Sequence, residues 1–174
     1  MQPTDLLSPH VAAVEFCAGT VKAKRANKWV ERSGLLTGQA LVEARKVCAV
    51  IEKIREIVGK PIYITSGIRA GSGRSQHDHG QAADIQAWGM SPLDLMALVY
   101  QHRERMPHKL REVIAETVHG RDGLSAPMGD GLGGWVHLAI LGEKVFAHPD
   151  SKPWSTHCAS DGQSYPAWSP PGGS

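Results

Sequence analysis

One long amphipathic segment places the strongest constraint on what this chain can fold into. Between about Thr37 and Val58, apolar side chains recur every three or four residues and form one stripe along a helix. The stripe consists of Leu41, Ala44, Val47, Cys48, Ile51, Ile54 and Val58. Gly59 supplies a helix stop and Pro61 prevents continuation, after which residues 62–65 are rich in β-formers. The pattern therefore predicts a helix that leads directly into a strand.

A second helix and two further strands complete the predicted framework. Ser91 as the cap and Pro92 at the first helical position predict a helix that runs to about Arg105. Two short apolar runs, 113–115 and 135–140, predict strands. This mixture of helices and separated strands favours the α+β class over an alternating parallel fold.

The composition is typical of a globular protein with one main domain. The chain has 174 residues, of which 41% are hydrophobic and 21% are charged, and this length is sufficient for one sizeable core. From about His148 the composition shifts to Pro, Ser, Gly and isolated Trp without periodicity. We therefore predict a domain over residues 1–147 and an extended tail over residues 148–174.

Charge and cysteine content argue against several classes of protein. The net charge of +2 is too mild to indicate nucleic-acid binding. No stretch approaches the ~20 apolar residues of a membrane span, and the first residues do not resemble an export signal. Cys17, Cys48 and Cys158 are odd in number and lack metal-like spacing, so a disulfide framework is not expected. These features predict a protein that is cytoplasmic when it is synthesised.

The residues most informative about chemistry follow the predicted strand and a glycine-rich turn. Ser75, His77, Gly80, Ala82 and Asp84 form the pattern S-x-H-x-x-G-x-A-x-D. Zinc binds imidazole nitrogen and carboxylate oxygen at roughly 2.0–2.2 Å, and catalytic sites use three protein ligands with water in the fourth place. His77 and Asp84 can supply two ligands. Gly80 and Ala82 leave room for the backbone to turn back between them.

The third ligand has to come from elsewhere in the chain. His137 is the best placed candidate, on a predicted apolar strand just after a glycine-rich loop, and His79 could compete with His77 on local chemistry alone. Five other histidines show no clustering with metal-ligand spacing, which argues against a histidine-rich metal carrier. They are His10, His102, His108, His148 and His157.

The ordered combination of motifs resembles the zinc D-Ala-D-Ala carboxypeptidases and phage endolysin peptidases, in the clan that includes hedgehog domains. The S-x-H-x-x-G-x-A-x-D segment is followed about fifty residues later by W-x-H, which ends at His137. The small phage and bacterial branch of this family also has L-S-x-H followed by Glu, then G-K-P-I and S-G-x-R. These motifs are present here as Leu7, Ser8, His10 and Glu15, then residues 59–62 and 66–69. The resemblance spans residues 5 to about 140.

The resemblance implies a hedgehog/DD-peptidase-like α+β fold, with a small antiparallel sheet flanked by helices and the zinc site on the sheet. It implies that residues 1–147 are a zinc peptidase domain. It also implies zinc ligation by His77, Asp84 and His137. Arg69 is then expected to face the substrate, where a guanidinium can hold a carboxylate or stabilise an oxyanion.

The general base is the point at which this sequence departs from the better known family members. Many of them carry Glu or Asp three residues before the last histidine ligand, whereas this position is Gly134 here. The small branch often has an acidic residue at the place of Glu116, so Glu116 is the first candidate. Asp130 is the second candidate and His119 is the third.

These features predict a zinc metallopeptidase that cuts a peptide bond in bacterial peptidoglycan, as a D,D-carboxypeptidase or an endolysin-type endopeptidase of phage or prophage origin. Its predicted partners are peptidoglycan stem peptides. The expected lack of an export signal fits a lysin that waits in the cytoplasm and acts on the cell wall after release. The alternative is a non-catalytic zinc-binding module of the same fold that recognises the wall or a partner, which Gly134 favours.

Overall fold

A computed structural model describes residues 1–18, 25–71, 73–117, 134–140 and 154–158. The helices are α1 (Ala13–Ala18), α2 (Arg25–Arg32), α3 (Gly38–Val58) and α4 (Pro92–Gln101), and short 3₁₀ helices occur at Ser33–Leu35, Gln76–His79 and Arg103–Arg105. The strands are β1 (Leu6–Ser8), β2 (Val11–Ala12), β3 (Ile62–Ser66), β4 (Ala82–Ala87), β5 (Leu110–Thr117), β6 (Trp135–Ile140) and β7 (Trp154–Cys158). The predicted α+β class is confirmed at this level.

A five-stranded sheet in the order β3-β4-β6-β5-β7 forms the centre of the described structure. β3, β4, β6 and β5 pair in antiparallel fashion, while β7 runs parallel to β5. β1 and β2 form a separate two-stranded ribbon. β7 falls within the predicted tail, so this part of the tail adds a strand to the sheet, and the division of the chain after residue 147 stays a prediction.

The side chains of the central strands alternate between two faces of the sheet. One face belongs to the hydrophobic core, to which α3 and α4 also contribute. Its buried strand residues are Ala83, Ile85, Val113, Ala115, Val136, Leu138 and Ile140. Because successive side chains in a strand point to opposite sides, the residues between them share the other face. This second face carries Asp84, Glu112, Glu116 and His137.

Helix α3 confirms the prediction made from its apolar stripe. It begins at Gly38 and ends at Val58, with Gly59 in the left-handed conformation at φ 66°. The stripe residues Ala44, Val47, Cys48, Ile51 and Ile54 are fully buried. Burial of each larger apolar side chain stabilises the fold by about 1.5–3 kcal/mol, so packing rather than capping holds this helix.

Within the described ranges, we find no helix with the length and apolarity to cross a membrane.

Helix α4 is shorter than its sequence pattern suggested. Ser91 caps it by accepting the backbone N–H of Asp94, as predicted, and Pro92 is its first residue. The helix ends at Gln101 rather than near Arg105, and a separate 3₁₀ helix, Arg103–Arg105, follows. No residue of that 3₁₀ helix is buried. Without core contacts to hold an α-helical turn, the chain tightens into i→i+3 hydrogen bonding.

Candidate metal centre

Two neighbouring strands place Asp84 and His137 side by side. Asp84 on β4 pairs directly with His137 on β6 in the antiparallel register, so both side chains project from the same face. His137 Nδ1 lies 3.0 Å from Asp84 Oδ1. Both residues are buried. Strand pairing therefore brings together two residues that are 53 positions apart in sequence.

The 3₁₀ helix Gln76–His79 brings His77 to the same point. Ser75 caps this helix, and its hydroxyl oxygen accepts the backbone N–H of His77 at 3.3 Å. His77 Nε2 lies 3.3 Å from Asp84 Oδ1 and 3.2 Å from His137 Nδ1. His77, Asp84 and His137 are the one group in the described ranges whose geometry suits a metal ion.

Gly80 ends the 3₁₀ helix and allows it to approach α3. Its φ of 70° lies in the left-handed region. A Cβ atom at this position would overlap the backbone carbonyl oxygen of Ala40 in α3. A residue larger than glycine therefore does not fit here, because α3 packs directly against the 3₁₀ helix.

Hydrogen bonds on the outer nitrogens of both imidazoles orient them toward Asp84. His77 Nδ1–H donates to the Gly67 carbonyl oxygen at 2.6 Å, and His137 Nε2–H donates to Gln76 Oε1 at 3.1 Å. His77 Nε2, His137 Nδ1 and Asp84 Oδ1 then direct lone pairs toward one shared point.

The spacing of these three atoms suits a small tetrahedral cation. Their mutual distances are 3.0, 3.2 and 3.3 Å. Ligand atoms that bind zinc tetrahedrally at 2.0–2.2 Å are separated by about 3.3–3.6 Å, so only small adjustments are needed. Three lone pairs this close repel one another unless a proton or metal ion lies among them. Two imidazoles and one carboxylate are a donor set that zinc accepts, so the residues fit the metal implied by the resemblance.

A proton can take the same place among these three atoms, and metal binding would release it. Burial alone raises the pKa of Asp84, but hydrogen bonds with His137 and His77 outweigh it and hold that pKa far below its ordinary value. Burial lowers the pKa of His77, despite the opposing effect of Asp84. Burial also opposes charge on His137, yet Asp84 and the carboxylates of Glu112 and Glu116 raise its pKa. Asp84 is therefore a carboxylate near neutral pH, which is the form that binds metal.

Arg69, which the resemblance expects to face the substrate, lies beside the cluster. Its backbone N–H donates to the His77 carbonyl oxygen at 3.4 Å, and its Nη2 lies 2.9 Å from Asp84 Oδ2. Asp84 thus presents one oxygen to the histidines and the other to the guanidinium. The Arg69 side chain is 43% exposed, so it reaches from the buried cluster to solvent.

A cavity of about 460 Å³ opens over the cluster. Arg69 and Arg74 line it together with Glu112, Glu116 and Trp135. Ile114 pairs directly with His137 and Glu116 pairs with Trp135, so Glu116 projects from the ligand face two residues along β5. The structure therefore places the first candidate base in the same cavity as the cluster. The other two candidates, Asp130 and His119, lie outside the described residues.

Two positions named in the sequence pattern lie elsewhere. His79 is not part of the cluster, and its Nε2 lies 2.9 Å from the Gly73 carbonyl oxygen. Gly134, at the position where many family members carry an acid, has φ 115° and lines a small separate cavity.

The N-terminal L-S-x-H motif serves the fold rather than the cavity. The Ser8 hydroxyl donates to Glu52 Oε1 at 2.7 Å, and His10 Nδ1 lies 2.9 Å from Glu52 Oε2. These contacts tie the first strand to α3. Glu15 accepts the backbone N–H of Ala12 at 3.0 Å and so secures the start of α1.

Sequence reasoning missed two polar residues that are linked to His137 by hydrogen bonds. Gln76 accepts a hydrogen bond from His137, and Glu112 in turn accepts one from Gln76. Both residues are buried. The available signal was the alternation along β5, which places Glu112 on the same face as Glu116. The predicted strand began at Val113 and so left Glu112 at its boundary.

Of the comparisons with known proteins, one identifies a family. The family model described as Peptidase M15 matches residues 20–119, which is more than half of the chain. The matched range includes Arg69, His77, Asp84 and Glu116, while His137 lies beyond it. No curated protein and no solved structure matches the chain. The length of the family match shows that this chain belongs to the Peptidase M15 family.

Proposed function

We propose that the chain is a zinc peptidase in which His77, Asp84 and His137 hold the metal. The observation that carries this proposal is the convergence of three buried lone pairs at one point under an open cavity. Lewis acidity is the chemistry that zinc supplies when bound, because it polarises a carbonyl group and acidifies water. A site with three protein ligands leaves one position for solvent or substrate.

The remaining chemistry falls to the charged residues of the cavity. The Glu116 carboxylate acts as general base and takes the proton from the attacking water. Arg69 places a guanidinium at the edge of the cluster, where it stabilises the negative charge that develops on the carbonyl oxygen. Its partial exposure leaves donors available to the substrate even while Nη2 contacts Asp84.

The substrate we propose is a stem peptide of bacterial peptidoglycan. Arg69 and Arg74 give the cavity two cationic groups, which suit the terminal carboxylate of such a peptide. Both a D,D-carboxypeptidase and an endolysin-type endopeptidase fit this proposal, with residues 1–147 as the peptidase domain. A phage or prophage origin, synthesis in the cytoplasm and later access to the wall belong to the same proposal.

Metal analysis tests the ligand set directly. His77→Ala and Asp84→Ala should each lose stoichiometric zinc, because a two-ligand site loses most of its affinity. His79→Ala is the matched control, since this histidine lies two residues from His77 but outside the cluster. If either ligand variant keeps zinc as tightly as the parent protein, the proposed site is wrong.

Release of amino groups from purified sacculi tests the reaction. The parent protein should release them, and a chelator should abolish the release until zinc is restored. Glu116→Gln should retain stoichiometric zinc and lose hydrolysis, because an amide cannot take the proton. Full turnover by that variant would remove Glu116 from the mechanism.

A non-catalytic zinc-binding module of the same fold is the second candidate. Gly134 favours it, since this position carries the acid in many family members and glycine cannot replace that function. This module would bind zinc and sacculi without releasing amino groups at any zinc concentration. The same two assays therefore separate the candidates.

A further inference from the structure

We infer that Gln76 and Glu112 are positioning residues that hold His137 in the orientation and tautomer required for metal binding. This inference rests on the proposed metal site. The inference goes beyond the proposed metal site, because it assigns a function to two residues that neither belong to the ligand set nor supply the general base. The pair also explains why a buried carboxylate lies beside the cluster.

The three side chains form one continuous hydrogen-bonded relay. His137 Nε2 lies 3.1 Å from Gln76 Oε1, and Gln76 Nε2 donates to Glu112 Oε2 at 2.9 Å. The relay is made by tertiary contacts, because Gln76 is 36 residues from Glu112 and 61 from His137 in sequence. The 3₁₀ helix supplies its centre, and β5 and β6 supply its ends.

Glu112 determines the direction of the relay. The carboxyl oxygen Oε2 accepts a hydrogen bond, so the Gln76 amide turns its NH₂ group toward Glu112. Its carbonyl oxygen then faces His137 and accepts from the Nε2–H group. The lone pair of this imidazole is thereby left on Nδ1, the atom that faces Asp84.

Burial makes this arrangement specific. Gln76 is 6% exposed and Glu112 is 5% exposed. Water therefore cannot easily replace either partner, and a hydrogen bond in such an environment is electrostatically stronger than one in solvent. Glu112 Oε1 is buried and has no hydrogen-bond partner in the part of the chain that the structure describes. An apolar residue of similar size would cost the fold less, so a buried carboxyl group here points to a function beside the cluster.

His77 and His137 differ in the group that accepts a hydrogen bond from the ring nitrogen facing away from Asp84. His77 Nδ1–H donates to the backbone carbonyl of Gly67, which no side-chain substitution can remove. Among the residues that the structure describes, His137 Nε2 has only the Gln76 side chain as its hydrogen-bond partner. The relay is therefore the part of the ligand geometry that mutation can test without changing a ligand.

Zinc affinity, measured by competition with a chromophoric chelator, tests the inference without any peptidase assay. Gln76→Met removes the acceptor at nearly constant volume and should weaken zinc binding about 10–100-fold, the usual effect of losing a partner of a histidine ligand. Glu112→Met should also weaken binding, because the amide then loses its orientation. Glu112→Gln can still accept from Gln76 and should retain more affinity than Glu112→Met. Gln86→Met, on the same sheet face, is the matched control.

Two-bond ¹H–¹⁵N correlation spectra give a second readout that general loosening of the fold does not reproduce. The parent protein should show His137 protonated at Nε2, and Gln76→Met should show a mixture of tautomers. Equal zinc affinity in parent and Gln76→Met, or an equal loss in Gln86→Met, would overturn the inference. If Gln76→Met does not fold, the two Glu112 variants provide the test. Equal zinc affinities of Glu112→Met and Glu112→Gln would then overturn the inference. Failure of the parent to bind zinc would instead refute the proposed function.

Discussion

Gly80→Ala is the substitution for which the structure makes the sharpest prediction about stability. Gly80 ends the 3₁₀ helix that carries His77, and it adopts φ 70°. An alanine Cβ would overlap the backbone carbonyl oxygen of Ala40 and lie 3.2 Å from its carbonyl carbon. Because that carbonyl belongs to a helix that is itself packed in the core, it cannot move aside cheaply.

Two separate costs contribute to the expected loss of stability. Holding alanine in the left-handed region costs about 1–2 kcal/mol. Forcing a methyl group into a closely packed contact costs about 1–3 kcal/mol more. The free energy of unfolding should therefore fall by about 2–5 kcal/mol, out of the roughly 5–15 kcal/mol typical of a domain. Zinc affinity should fall as well, because relief of the overlap displaces the helix that carries His77.

Gly59→Ala is the matched control for this prediction. Gly59 has φ 66°, close to that of Gly80, but a Cβ at this position has no neighbouring atom within 4 Å. It should therefore show the conformational cost alone, about 1–2 kcal/mol. Urea unfolding of the parent and both variants, with comparable m-values, measures the difference between them. If Gly80→Ala costs no more than Gly59→Ala, the contact with Ala40 does not limit this position and the reasoning is wrong.

Two further predictions concern groups away from the cluster. Burial alone raises the pKa of Glu52, but hydrogen bonds with Ser8 and His10 and the charge of Arg55 outweigh burial, so the pKa is lowered. The ionised Glu52 therefore stabilises the folded protein at neutral pH, and this stabilisation is lost as the pH falls through the folded-state pKa. Glu52→Gln should therefore reduce the free energy of unfolding by about 1–2 kcal/mol at pH 7. The difference from the parent should close as the pH falls below the ordinary range of a glutamate pKa, and the exposed Glu56→Gln should change stability little. A difference that persists in acid would contradict this prediction. Burial raises the pKa of the Cys17 thiol to about 11 and raises the pKa of the Cys48 thiol further. In a Cys158→Ser protein, neither thiol should therefore react with iodoacetamide until urea unfolds the chain. Rapid labelling of the folded protein would show that the thiols are accessible.

Several elements could be predicted from the sequence because local patterns define them. The stripe of α3 and its Gly59 stop predicted the helix to within one residue at its start. The β6 strand was predicted with the observed bounds, and β3 differs by one residue. β5 proved longer than the predicted 113–115, since its polar residues alternate onto the cavity face and break the apolar run.

Other elements had no local signal strong enough to predict them. β4 begins inside the S-x-H-x-x-G-x-A-x-D motif and ends at Ala87, and half of its residues are alanine, which is a weak strand former. β7 is held by pairing with β5, and its own sequence shows no strand periodicity. Strand pairing of this kind depends on a partner that is distant in the chain, so it appears only in the folded structure.

For the candidate site, the sequence alone determined which residue types were available and, through a resemblance, which three were expected to act together. It left His77 and His79 chemically equivalent, since both lie in one short segment. The tertiary structure distinguished them, because strand register sets Asp84 against His137 and the 3₁₀ helix turns only His77 toward that pair. It also revealed the Gln76–Glu112 relay. Contacts between residues tens of positions apart have no periodicity in sequence, because they are created by the packing of separate elements against one another.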